Sequence, residues 1–287
     1  MTNPPTVLSV QSWVATGHVG NAAAQFALQR LGFEVCALPT TLLSNHPGHP
    51  THTGQATDPA LLAALVDGVA ARGILARAAA LLTGYLATEA NAAIALDLPA
   101  RMQATALYCC DPVLGDDGRL YVAPAIAALL AARALPRADI LTPNQFELGL
   151  LAGTVPTSLP AARAAAAALS ARMRPGGPRL VLVSSLVTEQ TPPGMLDLLL
   201  HGPDGDLLLR RPRLDGHFSG AGDLLAALFL GRLLAGLPPP DALAKAVGAV
   251  ECVLAATRAT GADELALIAA QHALADPPAL PAPHRLP

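Results

Sequence analysis

The sequence has 287 residues, of which 52 % are hydrophobic and 14 % charged, and its formal net charge is −3 at pH 7. This composition excludes a disordered chain, because such chains are poor in apolar residues and rich in net charge. The weakly acidic balance lacks the basic surface by which proteins bind nucleic acid or acidic membranes, so we expect neither as a partner.

Short apolar runs alternate with longer helical patterns along the chain. The predicted strands are 6–10, 34–38, 79–82, 104–109, 139–141, 180–183, 195–200 and 206–210. The predicted helices are 21–31, 58–71, one that begins at residue 88, 122–134, 144–151, 161–173, 222–235, 241–257 and 262–273. This alternation predicts an α/β fold with a mostly parallel central sheet and helices on both faces, and a hairpin turn at 202–205.

No linker or repeat divides the chain, so residues 1–275 are predicted to form one domain. The proline-rich residues 276–287 are expected to form an extended tail with few contacts. Because no apolar run reaches the roughly 18 residues of a membrane span and the amino terminus lacks a basic signal region, we expect a cytoplasmic protein. The four cysteines are predicted to be reduced, with Cys109 and Cys110 on opposite faces of a strand.

A single lysine, Lys245, limits how this chain could bind a nucleotide. It lies in an alanine-rich helical pattern, outside any Gly-Lys-Ser/Thr loop or early strand, which excludes a P-loop enzyme and a protein kinase. The phosphates of a nucleotide would have to contact backbone N–H groups, metal ions or arginine.

The segment Gly220-Ala221-Gly222-Asp223 directly precedes an apolar helical pattern. Two glycines at a helix start let successive N–H groups point at one anion, such as a phosphate. Asp223 would repel that anion, but it could accept a proton from an attacking hydroxyl group. The alternative is a glycine-rich helix start that binds nothing.

Two further loops carry acidic side chains after predicted strands. Asp111 could bind a cation or its water shell, or it could lie in a solvated turn. Asn144 and Glu147 could neighbour a metal–phosphate group, or they could only cap a helix. Their spacing alone does not decide between these interpretations.

The amino-terminal loop and a histidine-rich segment are less specific. Gly17 and Gly20 do not form the GxGxxG fingerprint, which disfavours a Rossmann dehydrogenase. His46, His49 and His52 recur every three residues, but prolines and glycines between them prevent one helix from presenting them together. We therefore favour a mobile flap over a metal site.

Taken together, these loops resemble the ribokinase-like superfamily and, within it, the pyridoxal kinases. The resemblance covers Val7 to Ala256. The segments that carry it are Gln11-Ser12-x-Val14, Gly17-x-Val19-Gly20-Asn21, Leu31-Gly32-Phe33-Glu34-Val35, Ser44-Asn45-His46, Gly84-Tyr85-Leu86, Asp111-Pro112-Val113-x-Gly115-Asp116, Thr142-Pro143-Asn144-Gln145-Phe146-Glu147 and Gly220-Ala221-Gly222-Asp223.

The resemblance implies ATP-dependent phosphorylation of the 5′-hydroxymethyl group of pyridoxal, and usually of pyridoxine and pyridoxamine. Asp223 would be the general base, and the amides of Gly220, Ala221 and Gly222 would neutralise charge on the transferring phosphoryl group. The resemblance also implies Mg²⁺ with ATP, a monovalent cation (K⁺ or Na⁺), and a homodimer.

The same resemblance assigns residues to three subsites. The ATP positions are Asp111, Asp116, Tyr121, Thr142, Asn144, Glu147, Ser184, Ser185, Leu214, Phe218, Gly220 and Gly222. The cation positions among these are Asp111, Thr142 and Glu147. The substrate positions are Ser12, Val19, Ser44, His46, Pro47, Tyr85 and Asp223.

Four features depart from the usual pattern of the family. Pro47 stands where relatives often have threonine, Ala221 replaces the commoner threonine, His18 lies at a variable position, and the 116–121 flap is short. Two alternatives stay open: a hydroxymethylpyrimidine kinase, because it shares the fold and the base, and a non-catalytic protein that binds pyridoxal or its phosphate, because of Pro47 and the short flap.

Overall fold

A ten-stranded sheet crosses the molecule in the computed structural model, which describes residues 4–287. The predicted domain starts at residue 1, and its first three residues lie outside the described range. The strands of this sheet are β1 (Thr6–Val14), β2 (Glu34–Leu43), β3 (Gly54–Ala56), β4 (Ala80–Thr83), β5 (Leu107–Cys110), β8 (Ile140–Leu141), β9 (Leu180–Leu186), β10 (Met195–Gly202), β11 (Gly205–Pro212) and β12 (His284–Arg285). A separate hairpin consists of β6 (Gly115–Asp116) and β7 (Arg119–Leu120).

The strand order is β12-β11-β10-β9-β8-β5-β4-β1-β2-β3. The central strands from β2 to β9 pair in parallel, whereas β3 at one edge and β10 to β12 at the other pair antiparallel. The mostly parallel sheet predicted from the sequence is therefore confirmed, and so is the hairpin between β10 and β11.

Helices cover both faces of the sheet, as predicted. The first face carries α1 (Asn21–Arg30), α8 (Ala221–Leu234), α9 (Pro239–Thr260) and α10 (Gln271–Ala275). The second face carries α2 (Pro59–Ala71), α3 (Ile74–Arg77), α4 (Glu89–Asp97), α5 (Pro124–Leu129), α6 (Gln145–Ala152) and α7 (Leu159–Ser170). Cys109 belongs to the apolar core of the first face and Cys110 to that of the second, so the predicted alternation of these free thiols is confirmed.

The carboxyl-terminal region differs from the sequence prediction in two ways. The helix predicted over 262–273 is wrong, because only α10 is helical there. Leu265 and Leu267 are both buried, and this spacing of two fits an irregular segment that packs two side chains on the core rather than one face of a helix.

The expectation of few contacts for residues 276–287 is also wrong. The strand β12 pairs with β11, and the backbone N–H of Leu286 donates to the carbonyl of Asp206. Arg163 donates from Nη2 to the carbonyl of Pro287 at 2.7 Å. Within residues 4–287, no helix has the length and apolar character to cross a membrane.

Candidate active site

The predicted site loops follow the carboxyl ends of the central parallel strands. Ligands of open parallel sheets bind at this edge, because the loops after neighbouring strands meet there. The loop after β1 leads to α1, the loop after β5 leads to the small β6–β7 hairpin, and the loop after β8 leads to α6. The start of α8 meets the loop after β1.

The start of α8 has the geometry predicted for an anion-binding loop. Gly220 has a φ of 88°, and a side chain at this position would collide with the carbonyl oxygen of His18. Glycine is therefore required both by the backbone conformation and by the close approach of the β1–α1 loop. The amides of Gly222 and Asp223 lie in the first turn, where a helix supplies no carbonyl acceptors of its own.

The Asp223 side chain contacts the β1–α1 loop. Its Oδ2 accepts a hydrogen bond from the backbone N–H of Gly20 at 2.8 Å, and Gly20 in turn packs against Ser12. Burial raises the pKa of Asp223 to about 6, although the Gly20 amide opposes the shift. Two predicted site residues that are far apart in sequence, Ser12 and Asp223, thus lie on either side of Gly20, and the carboxylate is suited to proton transfer near neutral pH.

A second acidic group lies at the ends of β5 and β8. Thr142 donates from Oγ1 to Oδ1 of Asp111 at 2.8 Å. Burial, and then the negative charges of Glu147 and Asp223, hold the pKa of Asp111 well above its usual range. In the described part of the chain, none of these three carboxylates has a salt bridge to a basic side chain. A bound cation would supply the opposite charge that these carboxylates lack.

Asn144 and Glu147 form a capping box at the start of α6. Glu147 accepts from the backbone N–H groups of Asn144 and Leu114, both at 2.9 Å, and Asn144 donates from Nδ2 to the carbonyl of Gly115 at 2.8 Å. Burial raises the pKa of Glu147 to about 7. The helix cap is therefore present, and the same bonds fix the base of the β6–β7 hairpin.

The remaining positions assigned to the nucleotide lie in or after the β6–β7 hairpin, on β9 and in the segment before α8. Asp116 and Tyr121 lie in and directly after the β6–β7 hairpin, and Tyr121 is exposed. Ser184 pairs with Asn144 in an isolated parallel bridge. The others are Ser185, which has a φ of 51°, and Leu214 and Phe218, both half-buried before α8.

Apart from Asp223, the positions assigned to the substrate belong to β1, the loop after it, the segment after β2 and the loop after β4. Ser44 donates from Oγ to Asn45 and accepts from the backbone N–H of Thr53, so the 44–53 segment is closed by hydrogen bonds. His46 is half-buried, which lowers its pKa, whereas Pro47 is exposed. Val19 is buried beside Gly220, and Tyr85 is half-buried after β4.

No group of three or more His, Cys, Asp or Glu side chains in residues 4–287 is arranged as a metal site. The spacing of His46, His49 and His52 therefore leads to no common centre. His49 instead contacts Glu264, with 2.7 Å between Nε2 and Oε1. Glu264 was not identified from the sequence, because it belongs to no motif and lies in a segment wrongly predicted to be helical.

Comparison with known proteins decides the family. A sequence profile described as phosphomethylpyrimidine kinase matches residues 35–266. The pyridoxal kinase of Deinococcus radiodurans is 45 % identical over 276 residues, which cover 94 % of this chain and 93 % of that protein. The pyridoxal kinase of Granulibacter bethesdensis is also 45 % identical, over 94 % of this chain and 96 % of that protein. The chain belongs to the pyridoxal kinase family.

Solved structures agree with this assignment. Pyridoxal kinase from Leishmania donovani in complex with ADP and pyridoxine has a TM-score of 0.89 and 30 % identity, and covers 98 % of this chain and 99 % of that one. Pyridoxal kinase from Entamoeba histolytica, at 24 % identity and a TM-score of 0.90, shares the fold. The resemblance recognised from the sequence and the single α/β domain are both confirmed, and the chain is a kinase.

Proposed function

We propose that this kinase transfers the γ-phosphoryl group of ATP to the 5′-hydroxymethyl group of pyridoxal, and also of pyridoxine and pyridoxamine. The observation that carries the proposal is the position of Asp223, in the first turn of α8 and in contact with the Gly20 amide. Simple binding of a phosphate does not require a carboxylate beside free first-turn amides. Activation of an alcohol does require one, because the carboxylate accepts the proton of the hydroxyl group.

In the proposed reaction, Asp223 removes the proton from the substrate hydroxyl group as its oxygen bonds to the γ-phosphorus. The bond between that phosphorus and the β–γ bridging oxygen breaks, and ADP carries the electron pair away. The amides of Gly220, Ala221 and Gly222 would donate to the phosphoryl oxygens and balance their charge. Ala221 also donates to the carbonyl of Phe218 at 3.2 Å, so the amides of Gly222 and Asp223 are the better placed donors.

We further propose that Mg²⁺ accompanies ATP and that K⁺ or Na⁺ binds nearby. Asp111 and Thr142 would contact a cation, and the uncompensated charge of this edge supports that role. Glu147 already accepts three backbone N–H bonds, so we expect it to act on a cation through water or by fixing the loop. The divalent ion, when bound, neutralises charge that develops on the transferring phosphates.

The other site assignments are part of the same proposal. We keep Asn144, Asp116, Tyr121 and the remaining nucleotide positions as contacts of ATP, and Ser12, Val19, Ser44, His46, Pro47 and Tyr85 as contacts of the pyridine ring. A homodimer and a cytoplasmic location are retained as proposals in the same sense.

The experiment is steady-state kinetics with a panel of hydroxymethyl heterocycles at saturating Mg-ATP. We expect kcat/KM for pyridoxal to exceed that for hydroxymethylpyrimidine by at least about tenfold, the scale of a few lost pocket contacts. The description of the matching profile favours hydroxymethylpyrimidine as the second candidate, and a reversed ratio would establish it. Pyridoxal binding without any ADP release would instead indicate a non-catalytic binder.

A further inference from the structure

Glu264 joins two segments of the substrate side that are distant in sequence. Its Oε2 accepts from the backbone N–H of His18 at 3.3 Å, and its Oε1 lies 2.7 Å from Nε2 of His49. The carboxylate also packs on Gly17 so closely that a side chain there would collide with it. One carboxylate therefore contacts both the β1–α1 loop and the histidine-rich 44–53 segment.

The backbone around Glu264 is firmly placed. Leu265 and Leu267 are buried in the core beneath α9. The backbone N–H of Ala266 donates to Oγ1 of Thr257 at 2.9 Å, and Thr257 donates from the same oxygen to the carbonyl of Val253 at 2.8 Å. These contacts make Glu264 a fixed point against which the two substrate loops can be held.

The 44–53 segment transmits this restraint to the predicted substrate contacts. Asn45 donates from Nδ2 to the carbonyl of Thr51 at 2.8 Å, and the backbone N–H of His49 donates to the carbonyl of His46 at 3.2 Å. Because these bonds tie the segment into one unit, the position of His49 sets the positions of Ser44 and His46. The negative charge of Glu264 also acts on His46 and opposes the lowering of its pKa by burial.

We propose that Glu264 is a positioning residue for the alcohol substrate, which acts through His49 and His18 to hold the 44–53 segment against the β1–α1 loop. This inference rests on the proposed function of the same site. A loop that is already held in its binding conformation loses less entropy when the ligand binds. Glu264 therefore strengthens binding of the pyridine substrate, whereas, within residues 4–287, the nucleotide positions on α6 and in the β6–β7 hairpin are not in contact with the two loops that it holds.

The test compares Glu264→Gln with His49→Ala, and uses Asp263→Asn as the matched control. Asp263 is the exposed neighbouring carboxylate. For a partly exposed contact between an imidazole and a carboxylate, we expect KM for pyridoxal to rise about threefold to fivefold in Glu264→Gln and in His49→Ala. The double variant should be no worse than the more affected single variant, because both changes remove one interaction. We expect KM for ATP and kcat to stay within about twofold, and Asp263→Asn to behave like the parent.

Three outcomes would overturn the proposal: an unchanged KM for pyridoxal, an equal rise in KM for ATP, or full additivity of the two substitutions. If Glu264→Gln fails to fold, as judged by thermal unfolding, His49→Ala alone must raise KM for pyridoxal and leave KM for ATP unchanged. If the parent does not turn over pyridoxal, the proposed function fails separately. The dissociation constant of pyridoxal, measured from the fluorescence of the single tryptophan, Trp13, next to Ser12, then tests the positioning role by itself.

Discussion

The carboxyl edge of the central parallel strands and the antiparallel strands at the β12 edge differ in how buried acidic side chains are paired. In the antiparallel region, Asp197 on β10 is fully buried and accepts two hydrogen bonds from Arg210, at 2.7 and 2.8 Å. Asp206 on β11 is paired with Arg163 and contacts His201. Each of these carboxylates has a basic partner.

At the carboxyl edge of the parallel strands, Asp111, Glu147 and Asp223 have only hydroxyl and amide partners. Burial raises the pKa of each of them. Removing an ion from water costs free energy unless an opposite charge offsets it, so the carboxyl edge of the parallel strands retains a cost that the antiparallel region offsets with arginine. The paired carboxylates stabilise the fold, whereas the unpaired ones fit the proposed contacts with a ligand or a proton.

The largest effect is expected from Asp223→Asn. The substitution keeps an acceptor for the Gly20 amide but removes the base, so kcat should fall at least ~100-fold. Since burial makes the ionised carboxylate costly in the folded state, the thermal midpoint at pH 8 should be equal to or higher than that of the parent.

The matched control for this change is Asp241→Asn. Asp241 occupies the same third position of a helix, in α9, but it is exposed. Its kcat should stay within about twofold of the parent. Near-normal turnover of Asp223→Asn in the same assay would remove the role assigned to Asp223.

The second largest effect is expected from Asp197→Asn in the antiparallel region, which should lower the stability of the fold. The change leaves Arg210 without its bidentate partner. Because Arg210 is about one-third exposed, we expect a loss of only about 2 kcal/mol in the free energy of unfolding. For a chain of this size, this is a fall of roughly 3 °C in the thermal midpoint. The values of kcat and KM measured at 20 °C should not change, and an altered kcat would contradict the separation of the two regions.

The smallest effect is the pH dependence of the parent. With a pKa of about 6, Asp223 is mostly ionised at pH 7 and mostly protonated at pH 5. Because the base must be ionised, kcat/KM for pyridoxal should fall about tenfold between pH 7 and pH 5. The residual activity of Asp223→Asn should lack this acidic limb, and an acidic limb that persists in the variant would assign it to another group.

The apolar runs predicted nearly every element of the central sheet, because parallel strands buried on both faces consist of almost continuous apolar residues. The prediction failed where alanine-rich sequence had no clear amphipathic face. Residues 262–273 have good helix formers throughout, but burial of Leu265 and Leu267 decides their structure. Propensity is local, whereas this packing depends on contacts with α9.

The candidate site was predictable to the extent that it consists of motifs. The segments 111–116, 142–147 and 220–223 were identified because glycine, proline and acidic residues stand together directly after strands or before a helix. Glu264 carried no such signal, since its partners His18 and His49 lie more than 200 residues away. The arginine partners of Asp197 and Asp206 carried no signal either, because strand register brings Arg210 opposite Asp197 and the packing of α7 on the sheet brings Arg163 to Asp206.

The bond between Gly20 and Asp223 also concerns how the molecule is made. It closes a separation of 203 residues, so the base and the loop that orients it belong to opposite ends of the growing polypeptide. During synthesis on the ribosome, the first βα unit gains this hydrogen bond only after α8 has emerged. The proposed base therefore reaches its place late in translation, when most of the chain has already been assembled.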